Sequence, residues 1–242
     1  MRDSSSLSPG RGPASRSYRS ALARVQIAAL LLLLVCLPAK SQSNGAPHQP
    51  VRIVALGDSL TAGLGLPLNA SFPARLEAAL RAKGAAVEIA NAGVSGDTAS
   101  AGLARLDWSV PEGTDAVIVE LGANDMLLGI DPKVTRAALT EIVRRLTGRN
   151  MVVLLAGMRA APNLGLEYGR EFEAIFSDLA AGNAAGNDLI VYPFFLDGVA
   201  ADTSLNQADG IHPTAAGVDE IVARILPAVE ELIARARRKH PG

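Results

Sequence analysis

The chain has 242 residues, a formal net charge of −1 at pH 7 and one cysteine, Cys36. The nearly balanced charge and the aromatic content of only 4% exclude a basic, base-stacking surface, so we expect no nucleic-acid partner. Beyond Cys36 no thiol remains, which excludes disulfides, thiolate metal sites and a cysteine nucleophile from the rest of the chain.

The first 41 residues have the pattern of a secretory signal peptide. Five arginines precede an apolar core of 11 residues, 27–37, which is shorter than the roughly 20 apolar residues needed to span a bilayer. Small side chains at Ala39 and Ser41 suit signal peptidase, so Gln42 is the predicted start of a periplasmic or secreted protein. Two alternatives are an uncleaved anchor and a lipoprotein signal ending at Cys36, although Val35 is bulky for the latter.

The remaining chain is predicted to form one domain. Residues 42–50 are polar, contain two prolines and are predicted to be a disordered lead-in. Residues 51–238 contain no repeat, low-complexity block or linker that would divide them. A domain of about 200 residues buries enough surface to fold without disulfides.

Five short apolar runs predict the strands of a sheet. Each run is rich in Val and Ile, too short for a buried helix and largely apolar, as in strands that are covered on both faces. The runs are residues 51–57, 86–91, 116–122, 151–156 and 189–193.

Helical patterns lie between these runs. Phe72, Leu76 and Leu80 recur at helical spacing, with Ser71 placed to cap the start of the helix and Gly84 to end it. This spacing predicts a helix that packs one apolar face against the sheet.

Two further helices are predicted in the second half of the chain. One opens at Asp131-Pro132 and stops at Gly148, and the other begins at Thr214 and ends in basic residues 235–239. The apolar face of the first is formed by Val134, Ala138, Ile142 and Leu146. Alternating strands and helices predict right-handed βαβ units, and hence an α/β fold with three layers, α/β/α, around a flavodoxin-like sheet of about five parallel strands.

Polar residues follow the predicted strands. Ser59 comes after the first strand, Gly96 after the second and Asn124 after the third, while Asp209 and His212 follow the fifth. Because ligands of such folds bind beyond the carboxyl ends of the strands, we expect these residues to converge. A serine, an imidazole and a carboxylate are the groups that an activated hydroxyl nucleophile needs. The other two histidines lie near the ends of the predicted mature chain.

Each motif also has a plainer explanation when it is taken alone. Ser59 could be a turn or cap residue, and Asp209 could form a turn beside Gly210 with His212 marking the start of the last helix. Thr61 stands where the G-x-S-x-G elbow of α/β-hydrolases requires glycine, so that elbow is excluded. No complete phosphate-binding glycine loop is present either.

Four stretches together resemble the sequence blocks of the SGNH (GDSL-type) hydrolases. They are GDSL at 57–60, NAGVSGDT at 91–98, LGAND at 121–125 and DGIHP at 209–213. Residues 102–106, 119–122 and 193–195 are similar to the bacterial arylesterase, thioesterase and lysophospholipase branch of that family. The resemblance covers nearly all of the predicted mature chain.

The resemblance implies an ester hydrolase that needs neither a metal nor an organic cofactor. It implies that Ser59 is the nucleophile, that His212 is its base and that Asp209 orients the imidazole. An exported serine esterase for aryl and acyl esters is therefore the predicted function, with thioesters and lysophospholipids as further substrates.

The resemblance also implies an oxyanion hole. Its donors are the main-chain N–H of the serine, the N–H of Gly96 and the side-chain amide of Asn124. Gly93 is the rival for the glycine position, but the SGDT string favours Gly96. Asp58 and Asp125 are expected to hold turns through main-chain hydrogen bonds.

Apolar residues after the third and fourth strands either line an acyl channel or pack in the core. They are Met126, Leu127, Leu128, Met158 and Pro162.

The alternatives to the esterase are a carbohydrate O-acetylesterase of the same family and a non-catalytic flavodoxin-like binding module. The expected partner is a small-molecule ester or lipid substrate, without stable membrane insertion once the signal is cleaved.

Overall fold

The computed structural model describes residues 49–183, 186 and 188–241. Its strands are β1 Val51–Gly57, β2 Val87–Gly93, β3 Ala116–Glu120, β4 Val152–Ala156 and β5 Leu189–Tyr192. They form one parallel sheet in the order β2-β1-β3-β4-β5. The predicted α/β fold is confirmed, and every strand lies within two residues of its predicted position.

Helices cover both faces of the sheet. In chain order they are α1 Ser59–Ala62, α2 Phe72–Ala82, α3 Ala99–Ala104, α4 Leu106–Ser109, α5 Ala123–Leu127, α6 Pro132–Gly148, α7 Leu166–Gly182 and α8 Ala215–Lys239. One layer consists of α2 and α8, which contact each other, and the other contains α3, α6 and α7. Every residue of β3 and β4 is buried, because the two helical layers exclude water from both faces.

The start of α2 differs from its prediction in one detail. The three predicted apolar residues of α2 are fully buried, and Gly84 follows the end of the helix with φ +83°, as the prediction requires. Ser71 makes no side-chain bond to the first turn of α2. Its hydroxyl instead donates to the carbonyl of Leu68 at 2.9 Å, because the short 3₁₀ helix Leu68–Ala70 brings that carbonyl within reach. The predicted side-chain cap is therefore wrong.

Helix α6 begins as predicted but buries a different stripe in its first turn. The Oδ1 atom of Asp131 accepts the main-chain N–H of Lys133 at 2.9 Å, and a proline follows at the first helical position. Val134 is 48% exposed, so its predicted place on the buried face is wrong. The buried stripe passes through Thr135 and Leu139, which contact the rest of the core in its place.

The last helix is confirmed, whereas α7 is a helix that the sequence analysis did not predict. Thr214 caps α8 by accepting the N–H of Gly217 at 3.2 Å. Helix α7 follows β4 and precedes β5 in the chain, and it buries apolar side chains at helical spacing. They are Phe172, Ile175, Phe176 and Leu179.

The predicted signal peptide, residues 1–41, and residues 42–48 of the predicted lead-in lie outside the described residues. Gln49 and Pro50 are exposed and have no regular secondary structure. None of the described helices is both long and apolar enough to cross a bilayer.

Candidate active site

The loops at the carboxyl edge of the sheet surround a cavity of about 630 Å³. Its lining includes Ser59 after β1, Gly96 after β2, Asn124 after β3 and His212 after β5. The fifth predicted site residue, Asp209, contacts His212. The structure therefore brings all five residues together, although they are spread over more than 150 positions of sequence.

Ser59 stands at the start of α1, in a turn that its neighbours shape. Asp58 caps this turn, because its Oδ1 accepts the N–H of Leu60 at 2.9 Å, as expected for a turn-holding aspartate. A Cβ on Gly57 would come within 2.7 Å of both the main-chain oxygen and the carboxylate of Glu120. The chain can therefore turn sharply out of β1 only with glycine at this position.

A chain of hydrogen bonds links Ser59, His212 and Asp209. The Oγ of Ser59 lies 2.8 Å from Nε2 of His212, and Nδ1 of the same ring lies 2.7 Å from Oδ2 of Asp209. Oδ1 of Asp209 accepts the main-chain N–H groups of His212 and Ile211, at 3.0 and 2.9 Å. Both carboxylate oxygens of Asp209 are thus used to hold one loop and one ring.

These bonds also assign the protons. The N–H groups of His212 and Ile211 are the main reason why the pKa of Asp209 is lowered to about 2, and the side chain of His212 adds to the effect. At neutral pH this carboxylate is ionised and can only accept, so Nδ1 of His212 carries the proton. Nε2 is then free to accept the hydroxyl proton of Ser59.

The Asn124 amide is held by two acceptors beside Ser59. Its Nδ2 donates to Oδ2 of Asp58 at 3.1 Å and to the main-chain oxygen of Asp97 at 2.9 Å. These bonds join the exits of β1, β2 and β3 around one amide group. The amide plane is therefore fixed before any substrate arrives.

The two candidate glycines have different surroundings. A Cβ on Gly93 would come within 2.8 Å of the main-chain oxygen of Asp58, so this glycine permits close packing of β2 against the serine turn. Gly96 has φ +89°, lines the cavity and has open space where a Cβ would lie. Gly96 is therefore part of the cavity lining, whereas Gly93 is not.

The cavity wall is largely apolar. Of the five candidate lining residues, Met126, Leu127, Met158 and Pro162 contribute to it. Leu128 is not part of the lining, and it is 69% exposed because it lies just beyond the end of α5. The wall gains further apolar surface that the sequence analysis did not identify, from Leu60, Leu64, Phe194, Leu196 and Ile211.

Among the described residues that line the cavity, Arg159 is the only arginine or lysine, and none is an aspartate or a glutamate. The side chain is exposed, and its guanidinium carbon lies 4.8 Å from the centroid of the Phe194 ring. Such stacking holds the guanidinium plane while its edge remains able to donate hydrogen bonds. The cavity therefore combines an apolar wall with one oriented cation.

Two buried side chains support the loop that carries Gly96. Arg105 donates to Oδ2 of Asp97 at 2.5 Å and to the main-chain oxygen of Gly57 at 2.9 Å, so it joins this loop to the end of β1. Asp125 accepts the N–H of Ala99 at 2.8 Å, which fixes the start of α3 and confirms that this aspartate holds a turn. The sequence marked Arg105 only as part of the 102–106 stretch, and nothing local indicated its partners.

A pair of buried carboxyl groups lies beneath the serine turn. Burial raises the pKa of Asp58 to about 6, although the hydrogen bond from Leu60 opposes that shift. Burial raises the pKa of Glu120 well above its usual range, and the nearby charge of Asp58 raises it further. No local feature of the sequence indicated this pair, because Glu120 lies within an otherwise apolar run, 116–122.

No group of three or more His, Cys, Asp and Glu side chains in the described part of the chain is arranged to hold a metal ion. The arrangement that is present consists of a hydroxyl, an imidazole and a carboxylate in series, beside an oriented amide. It suits nucleophilic attack on a carbonyl carbon.

A model of the GDSL-like lipase/acylhydrolase family matches residues 55–220, which is well over half of the chain. The chain belongs to this family. It is therefore a hydrolase that acts on ester bonds, as the four sequence blocks implied.

Similar proteins in the family are named as esterases, or as a thioesterase and lysophospholipase. The chain is 33% identical to the arylesterase of Vibrio mimicus over 211 residues, which cover 87% of this chain and 96% of that protein. It is 37% identical to thioesterase 1/protease 1/lysophospholipase L1 of Escherichia coli K12 over 162 residues, 66% of this chain and 74% of that protein. The crystal structure of AlinE4, an SGNH-hydrolase family esterase, matches with 46% identity and a TM-score of 0.63, over 76% of this chain and 96% of that one.

Proposed function

We propose that the protein is an exported serine esterase that hydrolyses aryl and acyl esters through an acyl-enzyme on Ser59. The observation that carries this proposal is the hydrogen-bonded series from Ser59 through His212 to Asp209, which opens into an apolar cavity. No cofactor takes part in the reaction as proposed.

Acylation begins when Oγ of Ser59 attacks the ester carbonyl carbon and its proton passes to Nε2 of His212. The carbonyl oxygen becomes an oxyanion, which accepts from the N–H groups of Ser59 and Gly96 and from Nδ2 of Asn124. The intermediate collapses, the bond to the leaving oxygen or sulfur breaks, and His212 returns its proton to the departing alcohol or thiol. Ionised Asp209 stabilises the imidazolium without taking the proton itself.

Deacylation repeats these steps with water. A water molecule gives a proton to Nε2 of His212 and attacks the acyl carbonyl, and the same donors hold the second oxyanion. When this intermediate collapses, the carboxylic acid departs and Ser59 regains its proton from His212. The net reaction consumes one ester and one water.

The cavity supports esters with an apolar acyl chain. The described part of its wall carries one phenylalanine, Phe194, and no tyrosine or tryptophan. A sugar ring would favour a larger aromatic platform, which argues against a carbohydrate O-acetylesterase. The guanidinium of Arg159 is available to an anionic group on a substrate, which extends the candidates to lysophospholipids and phosphate-bearing thioesters. A small-molecule ester or lipid is thus the proposed partner.

Chain-length dependence tests this proposal. Each methylene buried in the cavity contributes about 0.8 kcal/mol, so kcat/KM is expected to be about tenfold higher for 4-nitrophenyl butyrate than for the acetate. The assay includes esters from acetyl to palmitoyl, an acyl-CoA, a lysophospholipid and an acetylated polysaccharide, with Ser59→Ala as the matched control. Activity confined to the acetylated polysaccharide would favour the O-acetylesterase, and no turnover of any ester would favour a binding module.

We also propose that residues 1–41 are a cleaved signal peptide and that residues 51–238 form the hydrolase domain of a periplasmic or secreted protein. The support is the basic leader, the short apolar core and the small residues before Gln42. N-terminal sequencing of the exported protein is expected to start near Gln42. A sequence starting at Met1 would contradict cleavage.

A further inference from the structure

Glu120 is a fully buried carboxyl group that the acyl-transfer steps do not use. It is the last residue of β3 and pairs in register with Gly57 at the end of β1. Its Oε2 accepts the hydroxyl of Thr61 at 2.7 Å and the main-chain N–H of Asp58 at 3.4 Å. The carboxyl group of Glu120 therefore lies directly beneath the turn that presents Ser59.

The glycine of the GDSL block is required by this arrangement. A Cβ on residue 57 would overlap Oγ1 of Thr61 and lie 2.7 Å from Oε2 of Glu120. The carboxyl group and the hydroxyl occupy the space that any other residue would fill. Gly57 and Glu120 thus form one structural unit, although the chain separates them by 63 positions.

Burial raises the pKa of Glu120 well above its usual range and so favours the uncharged form, although the hydrogen bonds that it accepts oppose this shift. Its Oε1 is buried and has no partner among the described residues, whereas an ionised carboxylate needs donors at both oxygens when it is removed from water. The interaction with the Glu120 side chain lowers the pKa of Asp58, whereas burial raises it. The pKa of Asp58, raised by burial to about 6, leaves its carboxylate ionised at pH 7 to 8.

The charge on Asp58 reaches two parts of the active site. Its Oδ1 accepts the N–H of Leu60 inside the serine turn, and its Oδ2 accepts Nδ2 of Asn124. Asp58 thereby sets the distance between the nucleophile turn and the oxyanion amide. A group that fixes the position of Asp58 therefore also fixes the Ser59 turn and the Asn124 amide.

We propose that Glu120 is a positioning residue that holds the Ser59 turn in register with the Asn124 amide by acting through Thr61 and Asp58. Its Oε2 accepts from the hydroxyl of Thr61 and from the main-chain N–H of Asp58. The inference rests on the proposed roles of Ser59 and Asn124, and it assigns Glu120 no contact with the substrate.

The test compares Glu120→Gln with Glu120→Leu by steady-state kinetics on 4-nitrophenyl butyrate. Gln keeps the size, one acceptor and one donor but cannot ionise, so its kcat is expected to stay within about threefold of wild type. Leu removes both hydrogen bonds, and the displaced turn is expected to lower kcat by about 10–100-fold while KM changes by less than about twofold.

A matched pair of threonine variants keeps the test decisive if Glu120→Leu does not fold. Thr61→Val removes the hydroxyl that bonds Glu120, and its kcat is expected to fall by about threefold to tenfold. Thr114→Val removes a buried hydroxyl that bonds the carbonyl of Pro111, and its kcat is expected to match wild type.

Three results would overturn the proposal. The first is a kcat for Glu120→Gln as low as that of Glu120→Leu, and the second is a wild-type kcat for Glu120→Leu with only a lower melting temperature. The third is an equal kcat for Thr61→Val and Thr114→Val. Ser59→Ala in the same assay separates these results from a failure of the proposed function, because activity retained in Ser59→Ala would remove the nucleophile assignment instead.

Discussion

Asn124→Ala is expected to lower kcat by about 10²–10³-fold and to leave KM almost unchanged. The reason is that an oxyanion donor interacts more strongly with the charged intermediate than with the neutral ester, so its loss raises the barrier without weakening substrate binding. In the free enzyme both N–H groups of this amide already donate, to Asp58 at 3.1 Å and to Asp97 at 2.9 Å, so the longer bond to Asp58 is the one we expect to be exchanged for the bond to the oxyanion. The measurement is kcat and KM on one aryl ester, together with the melting temperature.

The alternative for Asn124 is a purely structural amide, and the chain offers a control of that kind. Asn183 donates its Nδ2 to the carbonyl of Leu179 at 2.9 Å, at the end of α7 and outside the cavity lining. Asn183→Ala is expected to change stability and leave kcat as in wild type. If Asn124→Ala behaved like Asn183→Ala, with a lower melting temperature and an unaltered kcat, the oxyanion role would be excluded.

The sheet could be predicted because its strands are short, apolar and β-branched. In a doubly wound fold these features fix the location of the site as well, since the carboxyl ends of parallel strands meet at one edge. Ser59, Asn124 and His212 could therefore be assigned to one site from sequence, although they belong to the exits of β1, β3 and β5. What the sequence leaves open is the distance between them, which depends on packing.

Contacts between distant buried polar groups could not be predicted. Glu120 lies within an apolar run and shows no local feature that links it to Thr61 or Asp58. The contact exists only because β1 and β3 are neighbours. Arg105 likewise finds Asp97 and Gly57 only in the folded chain. Strand pairing or helix packing brings Glu120 and Arg105 to their partners. The periodicity of apolar residues within one segment does not predict such contacts.

The local errors have local causes. Ser71 has the composition of a helix cap, but its hydroxyl bonds a nearer carbonyl in the preceding 3₁₀ helix. Val134 matches the apolar spacing of α6, yet the axis of that helix places Thr135 toward the core, where its hydroxyl bonds Asp125 at 2.8 Å. In both cases a neighbouring segment decides the outcome, and propensity alone gives the wrong residue.

Ser59→Ala is expected to have the largest effect of any single change, a loss of kcat of at least about 10⁴-fold, because no other group can form the acyl-enzyme. The same reasoning predicts how Ser59 reacts with an electrophile. His212 accepts the hydroxyl proton at 2.8 Å, so the oxygen should attack phosphorus as it attacks an ester carbonyl. The other described histidine, His240, bonds the carbonyl of Asn150 and lies outside the cavity lining, so it serves as a matched control.

Labelling by a fluorophosphonate, followed by intact-protein and peptide mass spectrometry, tests the nucleophile directly. Wild type and His240→Ala are expected to gain one adduct at Ser59 at equal rates, and His212→Ala is expected to react about 10²–10⁴-fold more slowly. Ser59→Ala is expected to gain none. An adduct on Ser59→Ala, or equal labelling rates for His212→Ala and wild type, would contradict a Ser59 nucleophile activated by His212.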